Sequence, residues 1–160
     1  PAGRRTPGHP MTPAAAAIRT AADGFTPATG LILGSGLNVL ADAIELIAAF
    51  DFSDLEGVPI ATAPSHRGRL TLGHLAGHPV ACLQCRIHLY EGVVPADLAI
   101  LPCLLKEIGC NRLIVTNAAG SLDPAMPSGA VMAITDHINL MGDNPLAAPT
   151  TKPTAPVSSP

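Results

Sequence analysis

The stretch Thr29-Gly30-Leu31-Ile32-Leu33-Gly34-Ser35-Gly36-Leu37 decides the fold. Its apolar part, Thr29 to Leu33, is short and stops at glycine, the pattern of a buried strand running into a tight loop. From Leu37 to Ala43 the chain reads as the opening of a helix. That order puts the glycine loop at the carboxyl end of a strand, where ligands gather in an open α/β sheet. Gly34 and Gly36 let successive backbone N–H groups converge on an anion, and the Ser35 hydroxyl adds a donor. The same glycines equally permit nothing more than a tight turn. A dinucleotide fingerprint does not fit, because G-x-G-x-x-G needs a third glycine where Val39 stands.

Working outward, Ala14 to Ala22 is alanine-rich behind Pro13 and reads as a short helix. Ile44 to Phe52 reads as a strand, and Leu55 to Pro64 as a loop. Arg69–Leu75 and Pro79–Gln84, separated by Ala76-Gly77-His78, carry a hairpin signature. Asp97 to Ile108 has helical spacing and ends at Gly109, with a kink expected at Pro102. Arg112 to Val115 is a buried-type strand leading into Thr116-Asn117-Ala118-Ala119-Gly120, and Val131 to Thr135 is a further strand. Strands and helices interleave, which predicts an α/β fold with a mixed central sheet flanked by helices. The expected organisation is a disordered extension over 1–12, one domain over 13–146, and a Pro-rich disordered tail over 147–160. Met11 then stands as a natural start.

Composition excludes several classes. The net charge is −3, with three Phe, one Tyr and no Trp, so neither the basic face nor the stacking aromatics of a nucleic-acid binder are present. No apolar run approaches the roughly 20 residues that cross a bilayer, and the leading residues lack the apolar core of a signal peptide. A cytoplasmic protein is expected. Cys82 and Cys85 have C-x-x-C spacing with His88 nearby. Without a second such pair, buried reduced thiols are the better reading than zinc.

Arg86, His88 and Tyr90 share one face if the strand pattern continues past Gln84. An arginine, an imidazole and a phenol together suit an oxyanion, and they equally suit a solvated edge strand. His66 stands in a basic loop, His74 and His78 read as surface near the hairpin turn, and His137 reads as part of a polar site or as a satisfied buried histidine.

Taken in order, these segments resemble one family, the trimeric purine nucleoside phosphorylases, over about Gly24 to Leu146. Leu31 to Leu37 resembles the family's phosphate loop. Arg86-Ile87-His88-Leu89-Tyr90-Glu91-Gly92 is similar to its G-R-F-H-x-Y-E-G segment. Val115 to Leu122 resembles its V-T-N-A-A-G-G-L turn, and Asp136 to Leu140 with Asn144-Pro145-Leu146 its D-H-I-N-L and N-P-L stretches. The resemblance implies a phosphorylase/hydrolase-like fold, incomplete at its C-terminal side. It also implies that Ser35, Arg86, His88 and the Ala118 N–H hold phosphate, with His66 beside them and His88 catalytic. Tyr90 would lie near the ribose, and Asn117 with Ala118 on the pocket floor. The implied reaction is phosphorolysis of purine nucleosides to base and pentose 1-phosphate, in purine salvage. Phosphate would be a co-substrate, with no metal or organic cofactor, in a homotrimer without nucleic-acid or membrane partners.

This sequence departs from the family pattern at Cys85 and Asn38, where glycine is usual, at Ile87, where phenylalanine is usual, and at Arg67. The family's purine-recognising glutamate and asparagine have no counterpart in the matched stretch, so the chain alone is expected to be inactive. A reading frame shifted just before Ala148 allows a continuation like the family's, so the tail is expected to be a frameshift product. The alternatives are a methylthioadenosine phosphorylase-like enzyme and a non-catalytic phosphate-binding remnant.

Overall fold

Side chains alternate faces along a strand, and this sorts the apolar residues of the chain into two layers around one sheet. The computed structural model describes residues 11–34, 36–59, 68–84, 88, 92 and 95–140. The strands are β1 (Thr29–Ile32), β2 (Glu45–Asp51), β3 (Arg69–Leu75), β4 (His78–Leu83) and β5 (Arg112–Val115). The helices are α1 (Pro13–Ala21), α2 (Val39–Asp42) and α3 (Ile100–Glu107). The sheet runs β2-β3-β4-β1-β5. The pairs β2–β3 and β3–β4 are antiparallel, whereas β1 pairs in parallel with both β4 and β5. The sheet is therefore mixed, as the interleaved pattern predicts.

One face of the sheet presents Ile32, Leu70, Leu72, Ala81 and Leu83 to α1 and α3, which cover it with Ala15, Ile18, Leu101, Leu104, Leu105 and Ile108. The other face presents Leu31, Leu33, Val80 and Cys82 to Ala41 and Ile44. α1 forms where expected: Thr12 is its N-cap, accepting from the Ala15 N–H at 3.3 Å, and Pro13 opens the helix. The Thr12 hydroxyl also donates to Glu107 Oε2 at 2.6 Å, tying the start of α1 to the end of α3. The β3–β4 hairpin closes on the pair Leu75 and His78, with Ala76 and Gly77 both at positive φ (49° and 77°). That is the two-residue turn whose twist matches paired strands.

Several expectations need correction. The predicted helix over Asp97–Ile108 is two pieces, a 3-10 turn Pro95–Ala99 followed by α3. Pro102 falls in the first turn of α3, where backbone N–H groups have no intrahelical partner, so the helix accommodates it just past the change from 3-10 to α. β5 is a strand but not a buried one: Leu113, Ile114 and Val115 are each about half exposed at the open edge of the sheet. Val131 to Thr135 is irregular and exposed rather than a strand, because no described strand lies alongside to accept its backbone bonds. The expected helix over Leu37–Ala43 shortens to α2, and the expected loop over Leu55–Pro64 is described only to residue 59.

Candidate functional site

The parallel register puts Ile32 opposite both Leu83 and Val115. The carboxyl ends of β1, β4 and β5 thus stand level along one edge, with β1 between the other two. After β1 the chain leaves toward β4, and after β4 it crosses by α3 to the far side of β1. Connections that diverge on either side of a central strand open a crevice at its carboxyl end.

Two of the segments that leave this edge are hydrogen-bonded to each other. The Gly34 N–H donates to Thr116 Oγ1 at 2.9 Å. The Thr116 N–H donates to the Ile32 carbonyl at 3.0 Å, and its hydroxyl donates to that same carbonyl at 3.3 Å. Leu33 continues the ladder on the other side, donating to the Leu83 carbonyl at 3.1 Å. The glycine loop then turns through a bond from the Leu37 N–H to the Gly34 carbonyl at 3.3 Å, with Gly36 at φ +85°. Only a residue without a Cβ adopts that φ freely, so glycine at 36 is a requirement of the turn.

Of the residues singled out in the sequence, Asn117 and Ala118 are exposed and directly follow Thr116, on the rim of this edge. His88 is half-buried, five positions beyond the end of β4. Ser35, His66, Arg86 and Tyr90 lie outside the described residues. Gly34 differs from its expected role, because its N–H is engaged by Thr116 and is not turned toward a ligand. Thr116 stands inside the Val115–Leu122 turn, a motif that by itself assigns it no role. The signal for it was a hydroxyl residue one position past the strand that flanks β1.

His137 is not a buried core histidine. It is exposed, and its backbone N–H is held at 2.8 Å by the neighbouring Asp136 carboxylate. His78 is exposed as expected, while His74 is half-buried with its ring edge-on to Phe25 at 5.3 Å. Cys82 is wholly buried among Leu31, Leu33 and Val80, and burial pushes its thiol up to about 11, so it stays protonated. Cys85, the other half of the C-x-x-C pair, lies outside the described residues, and among the described residues no three His, Cys, Asp or Glu side chains are grouped to hold a metal. No described helix is long and apolar enough to cross a membrane.

Purine nucleoside phosphorylase from Anopheles gambiae is 45% identical over 126 residues, covering 77% of this chain and 36% of that protein. Purine nucleoside phosphorylase 1 from Bacillus subtilis is 44% identical over 124 residues, covering 78% and 46%. Among solved structures, isoform 2 of purine nucleoside phosphorylase from Schistosoma mansoni, in complex with cytosine and ribose-1-phosphate, superposes with a TM-score of 0.67 at 32% identity. That match covers 73% of this chain and 41% of the other. The Schistosoma mansoni enzyme in complex with inosine gives 0.64 at 31% identity. The chain spans less than half the length of these relatives. The profile of the Phosphorylase superfamily matches residues 28–160, from just before β1 through both segments that meet at its carboxyl end, and the chain belongs to that superfamily.

Proposed function

We propose that this chain carries the phosphate-binding segments of a purine nucleoside phosphorylase, a pentosyltransferase of nucleoside metabolism. The observation that supports it most directly is the joining of the Gly34 loop to the Asn117–Ala118 turn at the carboxyl ends of parallel strands. Relatives of that name, and solved relatives holding ribose-1-phosphate or inosine, fit the same reading.

Phosphate would be the co-substrate, held by the Ser35 hydroxyl, the Arg86 guanidinium, His88 and the Ala118 N–H, with His66 beside them. Arginine suits this role because its planar fork meets two phosphate oxygens at once. Tyr90 would lie along the ribose and Asn117 on the pocket floor. A phosphate oxygen bonds to the anomeric carbon as the glycosidic bond breaks. The bonding pair leaves with the purine, which takes up a proton, and ribose 1-phosphate forms. The sugar becomes oxocarbenium-like on the way, and the phosphate dianion beside it offsets that charge. His88, poised at the phosphate, is the catalytic residue of this scheme. The chemistry calls for no metal or organic cofactor. A homotrimer in the cytoplasm completes the proposal.

Titration of the full chain with inorganic phosphate, followed by calorimetry, tests the site. Saturable binding that weakens at least about tenfold in Arg86→Ala, one good charge-assisted contact, is the expected result. Hypoxanthine release from inosine by the whole protein should depend strictly on phosphate. A wild-type chain that does not bind phosphate, or inosine cleavage that proceeds equally without it, would overturn the assignment.

A further inference from the structure

We propose that Thr116 is the positioning residue of the anion site, stapling the glycine loop to the turn that follows β5; this rests on the phosphate-binding reading above. The β1–β5 ladder has its last register pair at Ile32 and Val115. One residue on, Thr116 prolongs it: its N–H reaches the Ile32 carbonyl at 3.0 Å, and its side chain spans the gap to the loop. The hydroxyl works in both directions, accepting from Gly34 at 2.9 Å and donating to Ile32 at 3.3 Å. Both bonds are partly buried, and Gly34 itself is buried. Without the hydroxyl, the Gly34 N–H would be left with no acceptor in a place water reaches poorly, and the loop would shift to satisfy it.

The staple therefore sets the distance between two backbone segments that must face one anion from different strands. Thr116 does not touch the anion in this arrangement. It also uses up the Gly34 N–H, so the loop's donors to phosphate come from beyond Gly34. Few residue types meet these demands. Valine keeps the shape and cannot accept, whereas serine keeps the hydroxyl and loses only a methyl group.

The test uses the full chain as wild type, Thr116→Val and Thr116→Ser, titrated with inorganic phosphate, alongside amide hydrogen exchange at Gly34. Phosphate affinity should fall about tenfold in Thr116→Val and stay within about twofold of wild type in Thr116→Ser, the scale of one buried hydrogen bond. The Gly34 amide should be protected in the wild type and the serine variant and lose protection in the valine variant. Failure of the wild type to bind phosphate would sink the site itself and this role with it. Wild-type binding with an unchanged Thr116→Val affinity would sink the positioning role alone. A wild-type Gly34 amide that exchanges as fast as an open loop would also overturn it, whether or not the valine variant folds.

Discussion

Gly30 lies in β1 beneath α3, and the space above it is already taken. A Cβ built there would stand 2.9 Å from Leu105 Cδ1 and 3.2 Å from Leu113 Cδ1, with Leu105 Cβ at 3.5 Å. Leu105 is only 1% exposed, so its Cδ1 is hemmed in. Gly30→Ala should therefore destabilise by about 1 kcal/mol, an overpacking strain of about 1–3 kcal/mol less the roughly 0.4–1 kcal/mol gained by restricting the unfolded chain. Leu105→Ala empties a fully buried position and should cost about 3 kcal/mol, the middle of the range for such truncations. In the double variant the 2.9 Å approach to Leu105 Cδ1 is gone, and the 3.2 Å approach to Leu113 Cδ1 remains on a half-exposed side chain free to move aside. The new methyl group meets Leu105 Cβ at an ordinary contact distance while filling part of the hole. Gly30→Ala should then stabilise the Leu105→Ala background, with a coupling of about 1–2 kcal/mol. Urea unfolding of the four proteins, with midpoints and slopes fitted together, measures it. Additivity within about 0.5 kcal/mol would refute the packing geometry on which the argument stands.

Burial pushes the Cys82 and Cys110 thiols up to about 11 from an ordinary 9.0. The unfolded chain therefore loses these protons first as pH rises, so the thiols' contribution to the free energy of unfolding should be constant below about pH 9 and decline between about 9 and 11. Chemical unfolding at stepped pH checks this, and a stability that rises over that window contradicts it. In the same protein the exposed Cys103 should react with a thiol reagent well ahead of the two buried cysteines; equal rates would contradict their burial. Ile114, 52% exposed on the open edge strand β5, should promote self-association. Ile114→Lys should lower the concentration dependence of sedimentation, and an identical profile for both proteins would argue against an adhesive edge.

Much of the architecture could be read from the chain because the deciding signals are local. The run Thr29 to Leu33 before a glycine, and the Ala76-Gly77 pair between alternating strands, each specify geometry within a few residues. What escaped was set by partners at a distance. Leu113, Ile114 and Val115 have the composition of a buried strand, yet composition says only that a residue suits an interior, not whether a layer covers it. Val131 to Thr135 has the same apolar character, and among the described residues no strand lies beside it to pair with, so the pattern alone overstates it. Asp97 to Ile108 shows a different limit: the spacing is helical, but it does not say where a 3-10 turn gives way to α-helix. At the site, the meeting of the glycine loop with the Thr116–Gly120 turn at the carboxyl ends of parallel strands was foreshadowed by their glycines and by the strands that precede them. Thr116 was not, because a hydroxyl that links two strand ends leaves no periodic trace.

The bond from Gly34 to Thr116 joins positions 82 apart in the chain. The β3–β4 hairpin and the two longer helices form from near neighbours and need no such long loop to close. A contact of this span, like the β1–β5 ladder it extends, closes a long loop and carries a larger entropy cost than the hairpin or the helices. An anion held between those two segments would recognise only molecules whose sheet is complete from β1 to β5. Binding would therefore draw the population toward the finished fold by mass action, by an amount that grows with the logarithm of anion concentration. Were phosphate that anion, as proposed above, its concentration would set part of the protein's stability.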